Sequence, residues 1–261
     1  VIALSPDIKV ASLAGGFGRS ATPQVAEGGS YGDLVGFQWA KNANGQYLVH
    51  TASTMAYSGL PITTDKAGQQ QSYLGNFMPK ETLGMTNTIR YKNFTARILI
   101  DGRIGGIIVD GTEMNLAFSG IPDITSKYRE GGLNLNGVDS SGKAVNVPLT
   151  AQQFWQAASY QRYGVAQFFT YSATNFRLRE LTIGYDLPVK STVIKTARIS
   201  FIARNLLWLY RGSSILDIPG LGKRKMTFDP DMSLGNDNYQ GISYGTLPAT
   251  RSYGLNLQLT F

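Results

Sequence analysis

The chain has 261 residues, 43% of them apolar, with 30 Gly, 14 Tyr, one His and no Cys, at a formal net charge of +7. Composition of this kind excludes intrinsic disorder, and the lack of Cys excludes both a disulfide framework and a thiolate metal site. The positive charge raises nucleic acid as a partner, but Lys and Arg are scattered, and the densest run, "GKRKM" at Gly222 to Met226, reads as a loop, so no nucleic-acid face is expected.

No apolar run approaches the ~20 residues of a spanning helix, which leaves membrane β-strands open. The opening "VIALSPDIKV" has neither an initiator Met nor the order of a signal peptide, and reads as the start of a processed chain or an excised piece. "VIALS" and the Gly-rich "GSYGDLVGFQWAK" of residues 29 to 41 are the first strand patterns.

The alternation sharpens at "TIRYKNFTARILID". Met85, Asn87, Ile89 and Tyr91 alternate with polar residues, as do Phe94, Ala96, Ile98 and Ile100 after the "YKNF" turn, which predicts a tight hairpin with one apolar face. Arg90, Arg97 and Asp101 fall on the other face. A helix is predicted in "LTAQQFWQAASYQRYG", with Thr150 as N-cap, Gln153 completing a capping box, and Gly164 at its end.

"NFRLRELTIGYDLP" sets Leu181, Ile183, Tyr185 and Leu187 on one side but Phe176 and Leu178 on the other parity, so a bulge is expected near Arg179 and Glu180. "ARISFIARNLLWLY", from Ala197 to Tyr210, is long for a strand and changes parity around Asn205. The final "RSYGLNLQLTF" alternates without error, with Tyr253, Leu255, Leu257, Leu259 and Phe261 on one side.

About six or seven strands result, and their connections alternate between short (91 to 94, and "PVKSTVIKT") and long (42 to 84, 103 to 175, 211 to 249). Two architectures fit an all-β chain of this kind. One is an antiparallel transmembrane β-barrel segment, with short turns on the periplasmic rim and long loops outside. The other is a soluble secreted β-sandwich whose loops bind carbohydrate.

Chemistry is sparse. There is no nucleophile elbow, phosphate loop or zinc spacing, and no enzyme or cofactor is expected. Asp229 and Asp231 in "FDPDMSLGNDN", with Asn236, Asp237 and Asn238, offer either calcium ligands without a closing Glu or a turn built by side chains; no metal is expected. Trp155, Tyr160 and Tyr163 lie on or beside the predicted helix and, together with the loop acids Asp229 and Asp231, are the ligand-binding candidates, with internal packing as the alternative for the aromatics. Trp39, Trp208, Tyr210, Tyr91 and Tyr185 sit near strand ends, where an interfacial aromatic girdle or a soluble core accounts for them.

Six motifs in order carry a resemblance: "YLGNFMPKETLGMTNTIRYKNFTARILIDGRIGG", "AQQFWQ", "FRLRELTIGYDLP", "ISFIARNLLWLYRG", "FDPDMS" and "LPATRSYGLNLQLTF", with "EGGSYGDLVGF" extending it upstream. Together they resemble the C-terminal part of SusC/RagA-type TonB-linked outer-membrane transporters of Bacteroidetes. The resemblance implies that residues 1 to 261 are the C-terminal portion of one barrel domain of the 22-stranded, plugged type. It implies uptake of glycan or peptide oligomers at the outer membrane, with a SusD-like surface lipoprotein and the TonB complex as partners. The family's plug, TonB-contact segment and N-terminal carboxypeptidase-like domain have no counterpart in this sequence, so the remaining barrel polypeptide is expected elsewhere. Tyr253, Leu255, Leu257, Leu259 and Phe261 resemble the signal read by the barrel-assembly machinery.

Overall fold

The structure is a computed structural model that describes residues 11–12, 21–51, 58–64, 72–160, 164–232, 240–247 and 249–261. Two units emerge, each assembled from three stretches of chain: Val1–Met78, Gly106–Ser172 and Ser213–Thr246 in the first, and Pro79–Gly105, Ala173–Gly212 and Leu247–Phe261 in the second.

The second unit is a five-stranded antiparallel sheet of β1 (Glu81–Tyr91), β2 (Phe94–Ile104), β3 (Asn175–Leu187), β4 (Thr196–Arg211) and β5 (Ser252–Thr260). Their order across the sheet is their order in the chain, an up-and-down meander. Lys92 and Asn93 alone join β1 to β2, with Lys92 at φ 51°, and Pro188 follows the last residue of β3. Register places Tyr91, Phe94, Leu187, Thr196 and Thr260 at one end, so both short turns share a rim and every long excursion leaves from the opposite one.

Alternation then fixes two chemically distinct faces. One row crosses all five strands as Ile89, Ala96, Ile183, Phe201 and Leu255; the next runs through Asn87, Ile98, Leu181, Ala203 and Tyr253. On the other face Thr88, Arg97, Thr182, Ile202 and Gly254 form a row, and Gly84, Asp101, Arg177 and Trp208 another. The expected bulge is present: pairing skips Arg179 on β3 and Asn205 with Leu206 on β4, with Asn205 at φ 51°. Without that correction Phe176 would leave the apolar face; with it Phe176 pairs Tyr210 and Gly102 on that face.

What marks this sheet is that the apolar face is exposed. Met85, Ile89, Ile183, Phe201, Leu255 and Leu257 are between 38% and 77% accessible, whereas a sandwich would cover such a face with a second sheet. From Phe176 to Tyr185 β3 advances ~30 Å, and at a barrel's tilt of ~40° this spans ~23 Å, close to the ~25 Å apolar band of outer-membrane barrels. Aromatic Tyr91, Phe94 and Tyr185 gather at the short-turn end, with Phe94 and Tyr185 ring centroids 4.6 Å apart. β1 and β5 each pair on one side only among the described residues, leaving two sheet edges.

The first unit is built differently, from short strands and two helices around a core that includes Leu34, Trp39, Val109, Met114, Phe154, Trp155, Phe168, Phe169, Ile218 and Ile242. Ala11–Ser12, Ala21–Val25, Asp33–Gly36 and Ser72–Asn76 form one small sheet; Thr170–Ser172, Ile107–Asp110 and Ile242–Ser243 form another. α1 (Gly111–Phe118) is N-capped by Asp110, whose carboxylate accepts from the N–H groups of Thr112 and Glu113. α2 (Ala151–Ala158) has the predicted Thr150/Gln153 capping box, but it ends on Ser159, short of Gly164.

Several expectations change here. The 29 to 41 strand shrinks to Asp33–Gly36, because Ser30 and Asp33 close a turn with Gly32 at φ 96°, and it pairs within the first unit's own small sheet. Among the described residues five strands make the large sheet where six or seven were expected in the chain, and "VIALS" lies outside the described residues. No helix among the described residues is long and apolar enough to cross a membrane. Trp39 is not a rim residue: it is buried in the first unit, stacked on Tyr47 at 4.1 Å with its Nε1–H donated to the Leu48 carbonyl. Trp208 belongs to the polar face, where the Arg177 guanidinium lies 4.8 Å from its ring.

Candidate functional site

In the first unit a cleft of about 480 Å³ opens between the end of α1, the 3-10 turn Asp123–Ser126 and the start of α2. Its shape starts with Gly120, at φ 71°, which ends α1 by a Schellman turn: the N–H of Gly120 bonds the Ala117 carbonyl and that of Ile121 the Leu116 carbonyl. Arg129 braces this wall, donating to the carbonyls of Gly120 at 3.2 Å and Thr125 at 3.4 Å. Opposite stand Thr150, Gln152, Gln156 and one side of Trp155. Gln152 and Gln156, one helical turn apart, present amides to the opening.

The sequence-predicted residues scatter around this cleft. Trp155 lines it but is 3% exposed, wedged against Phe154 at 4.9 Å, so most of its ring is core. Tyr160 is exposed and sits beside Phe118, itself a lining residue, with centroids 6.3 Å apart. Tyr163 lies outside the described residues, as do Asn236, Asp237 and Asn238. Asp229 is buried and accepts the Asp231 N–H at 3.0 Å, the geometry of a turn built by an Asp side chain. The cleft does not include Asp229 or Asp231.

Sequence reading missed the first unit's buried ionic centre. The middle residue of "GKRKM", Arg224, is not a solvated loop charge: it is buried, pairs Glu113 at 2.6 Å through Nη1, and bonds the Phe168 carbonyl through Nη2. The rings of Tyr171, Phe169 and Trp155 surround its guanidinium at 5.5, 5.6 and 5.9 Å. The Tyr171 hydroxyl donates to the second Glu113 oxygen at 2.5 Å, and burial raises the Tyr171 pKa. Nearby, burial pushes the Asp110 carboxyl up to about 7 against the N–H donors of its helix. The only signal available in advance was the aromatic-rich "QFFTYS" stretch, because Glu113 and Arg224 are 111 positions apart.

The sheet's polar face carries the other concentration of charge. Asp101 accepts from Arg177 at 3.2 Å and from Arg179 at 2.5 Å, Glu180 pairs Arg204 at 3.2 Å, and Asp186 pairs Arg198 at 3.7 Å. Arg90 and Arg97 are exposed and hold no ion pair among the described residues. On the opposite face Tyr253, Leu255, Leu257 and Leu259 are exposed along β5, and Phe261 directly follows it.

No family model matches the chain. A curated protein, TonB-dependent receptor P3 of Formosa agariphila, is 24% identical over 98% of this chain, which covers 24% of that receptor. The RagAB peptide importer matches in its closed-closed state (TM-score 0.52, 16% identity) and its open-open state (TM-score 0.52, 17% identity). These matches cover 98% and 99% of this chain and 25% of the importer chain. The chain thus spans about a quarter of the length of the proteins it matches, which are a receptor and an importer rather than enzymes. The resemblance read from six motifs is upheld by both sequence and fold: this chain is a relative of TonB-dependent receptors, and its place is the outer membrane.

Proposed function

We propose that this chain forms part of the wall and the outward loops of a TonB-coupled transporter that imports nutrient oligomers across the outer membrane. The observation that carries the reading is the two-faced meander: an exposed apolar face of membrane-spanning height, a charged face behind it, and all long connections on one rim. Five strands fall short of the eight of the smallest single-chain barrels, so the rest of the wall, the plug and the TonB contact would come from polypeptide outside this chain. Free edges at β1 and β5 are the places where further strands would pair.

A SusD-like lipoprotein is the proposed partner on the side of the sheet's long connections. The cleft beside Phe118 and Trp155, with Tyr160 at its edge, is the proposed contact for cargo or lid, and the β5 stripe ending in Phe261 the proposed assembly signal. A soluble carbohydrate-binding sandwich would need its apolar face covered, and the exposure of that face favours the membrane reading. The test is deletion of the complete gene, with growth on oligomeric nutrients and extraction of the complete protein as readouts. Loss of growth on one nutrient class, detergent-dependent extraction and heat-modifiable gel migration are expected. Extraction without detergent, or unchanged growth on every nutrient tried, would sink the proposal.

A further inference from the structure

The cleft at α1 and α2 carries a positive charge that nothing cancels. Arg129 is the charged residue of its lining, and no carboxylate pairs with it among the described residues. Two backbone carbonyls hold it instead, that of Thr125 at Nε and that of Gly120 at Nη2, which leaves Nη1 with no acceptor among the described residues. Arg177, Arg179, Arg198, Arg204 and Arg224 each hold an Asp or Glu. Arg129, by contrast, is fixed in place with its charge intact.

Across from it the lining offers amides rather than acids. Gln152 and Gln156 are exposed on α2, and neither side chain has a hydrogen-bond partner among the described residues. Residues one helical turn apart have Cβ atoms ~5–6 Å apart, close to the ~6.6–6.8 Å between alternate residues of an extended peptide. An amide side chain both donates and accepts, which is what each peptide unit of such a chain requires. Trp155 adds an indole N–H with no partner among the described residues. Its ring is 3% exposed, so no indole face is open for a sugar ring to stack on. Phe118 and Tyr160, both exposed, form an apolar rim that suits a side chain.

We propose that this cleft captures the carboxyl-terminal end of a peptide. Nη1 of Arg129 meets the terminal carboxylate, Gln152 and Gln156 bond main-chain amides of alternate residues, and the Phe118 rim receives an apolar side chain. The inference rests on the reading of this cleft as a contact for cargo. Its volume of about 480 Å³ lies within the ~300–1,000 Å³ of small-ligand sites and suits the end of a chain rather than its length. A carboxylate on a fixed guanidinium makes a charge-assisted hydrogen bond that a carboxyl amide does not match.

The purified complete receptor is offered one pool of short synthetic peptides with free carboxyl termini, the same peptides as carboxyl amides, malto-oligosaccharides and oligogalacturonates, and the retained ligands are identified by mass spectrometry. Free-acid peptides are expected to be enriched about tenfold over their amides. Arg129→Gln should erase that preference while amidated peptides are still retained. Because Arg129 also braces Gly120 and Thr125, Gln156→Glu supplies a second arm: at an exposed position it sets a negative charge across the cleft and removes the preference with the brace intact. Lys223→Gln, which removes an exposed charge outside the lining, should leave the preference unchanged. Equal retention of acids and amides overturns the inference, as does retention of sugars alone or a preference that survives Arg129→Gln or Gln156→Glu. Retention of nothing overturns it too, and growth of the deletion strain then decides separately whether the transport reading survives.

Discussion

Leu255→Arg separates a lipid-facing sheet from a water-facing one. Leu255 is 77% exposed at the end of the row Ile89, Ala96, Ile183, Phe201, Leu255, so in water little contact is lost and the change should cost less than ~0.5 kcal/mol. From Leu255 to the strand end at Thr260 the chain rises ~17 Å, which a barrel's tilt of ~40° reduces to about 13 Å along the membrane normal. That is half of a ~25 Å apolar band, so the guanidinium would sit near the bilayer midplane, at a cost of ~2–4 kcal/mol. At 1.4 kcal/mol per factor of ten, ~3 kcal/mol moves the folding equilibrium about a hundredfold. Tyr91→Arg, at the end of its strand beside the short turn, should cost only ~0–1 kcal/mol. The assay is urea unfolding of the complete protein in lipid vesicles, read by gel mobility and tryptophan fluorescence. Equal, small effects of Leu255→Arg and Tyr91→Arg would refute the assignment of this face to lipid.

Three further outcomes concern the first unit. Glu113→Ala removes the carboxylate partner of buried Arg224 and the acceptor of Tyr171, and should destabilise the unit by about 3–5 kcal/mol, seen as faster proteolysis and hydrogen exchange around Phe168 and Phe169. Asp110, with its folded pKa raised to about 7 by burial, binds a proton that the unfolded chain has already released, so stability around α1 should fall as pH rises from about 4 to about 7. Asp110→Asn should flatten that slope in hydrogen exchange measured across the same pH range. Thr150→Ala breaks the capping box of α2 at a cost of about 1 kcal/mol, which proteolysis of the Ala151–Ala158 helix would report.

The large sheet was legible because its strands present one face to each environment. Period-two alternation located β1 to β5 within a few residues, and the parity breaks at Arg179 and Asn205 marked the bulge. The first unit was not legible for the converse reason. Phe37, Trp39 and Val49 are buried on irregular chain or at isolated bridges, and bridges such as Trp39 with Thr63 leave no period to detect. α2 was found by its cap, a local signal, whereas α1, capped by a single Asp before a Gly, was not. Arg224 looked solvated because burial of a charge depends on a partner 111 positions away. Of the predicted aromatics, Tyr160 is exposed where a ligand could meet it, while Trp155 shows that an aromatic on a loop helix can be core and cleft wall at once.

The first unit's core is shared among three chain stretches that enter before β1, between β2 and β3, and between β4 and β5. Leu34, Val109 and Ile242 come from different stretches yet belong to one core, and Gly241 has no room for a Cβ beside Phe77 and Leu34. Loops knitted in this way cannot diversify one at a time. A substitution that reshapes one stretch for a new cargo must be accommodated by the other two, so specificity in this protein should change by coordinated replacement of all three.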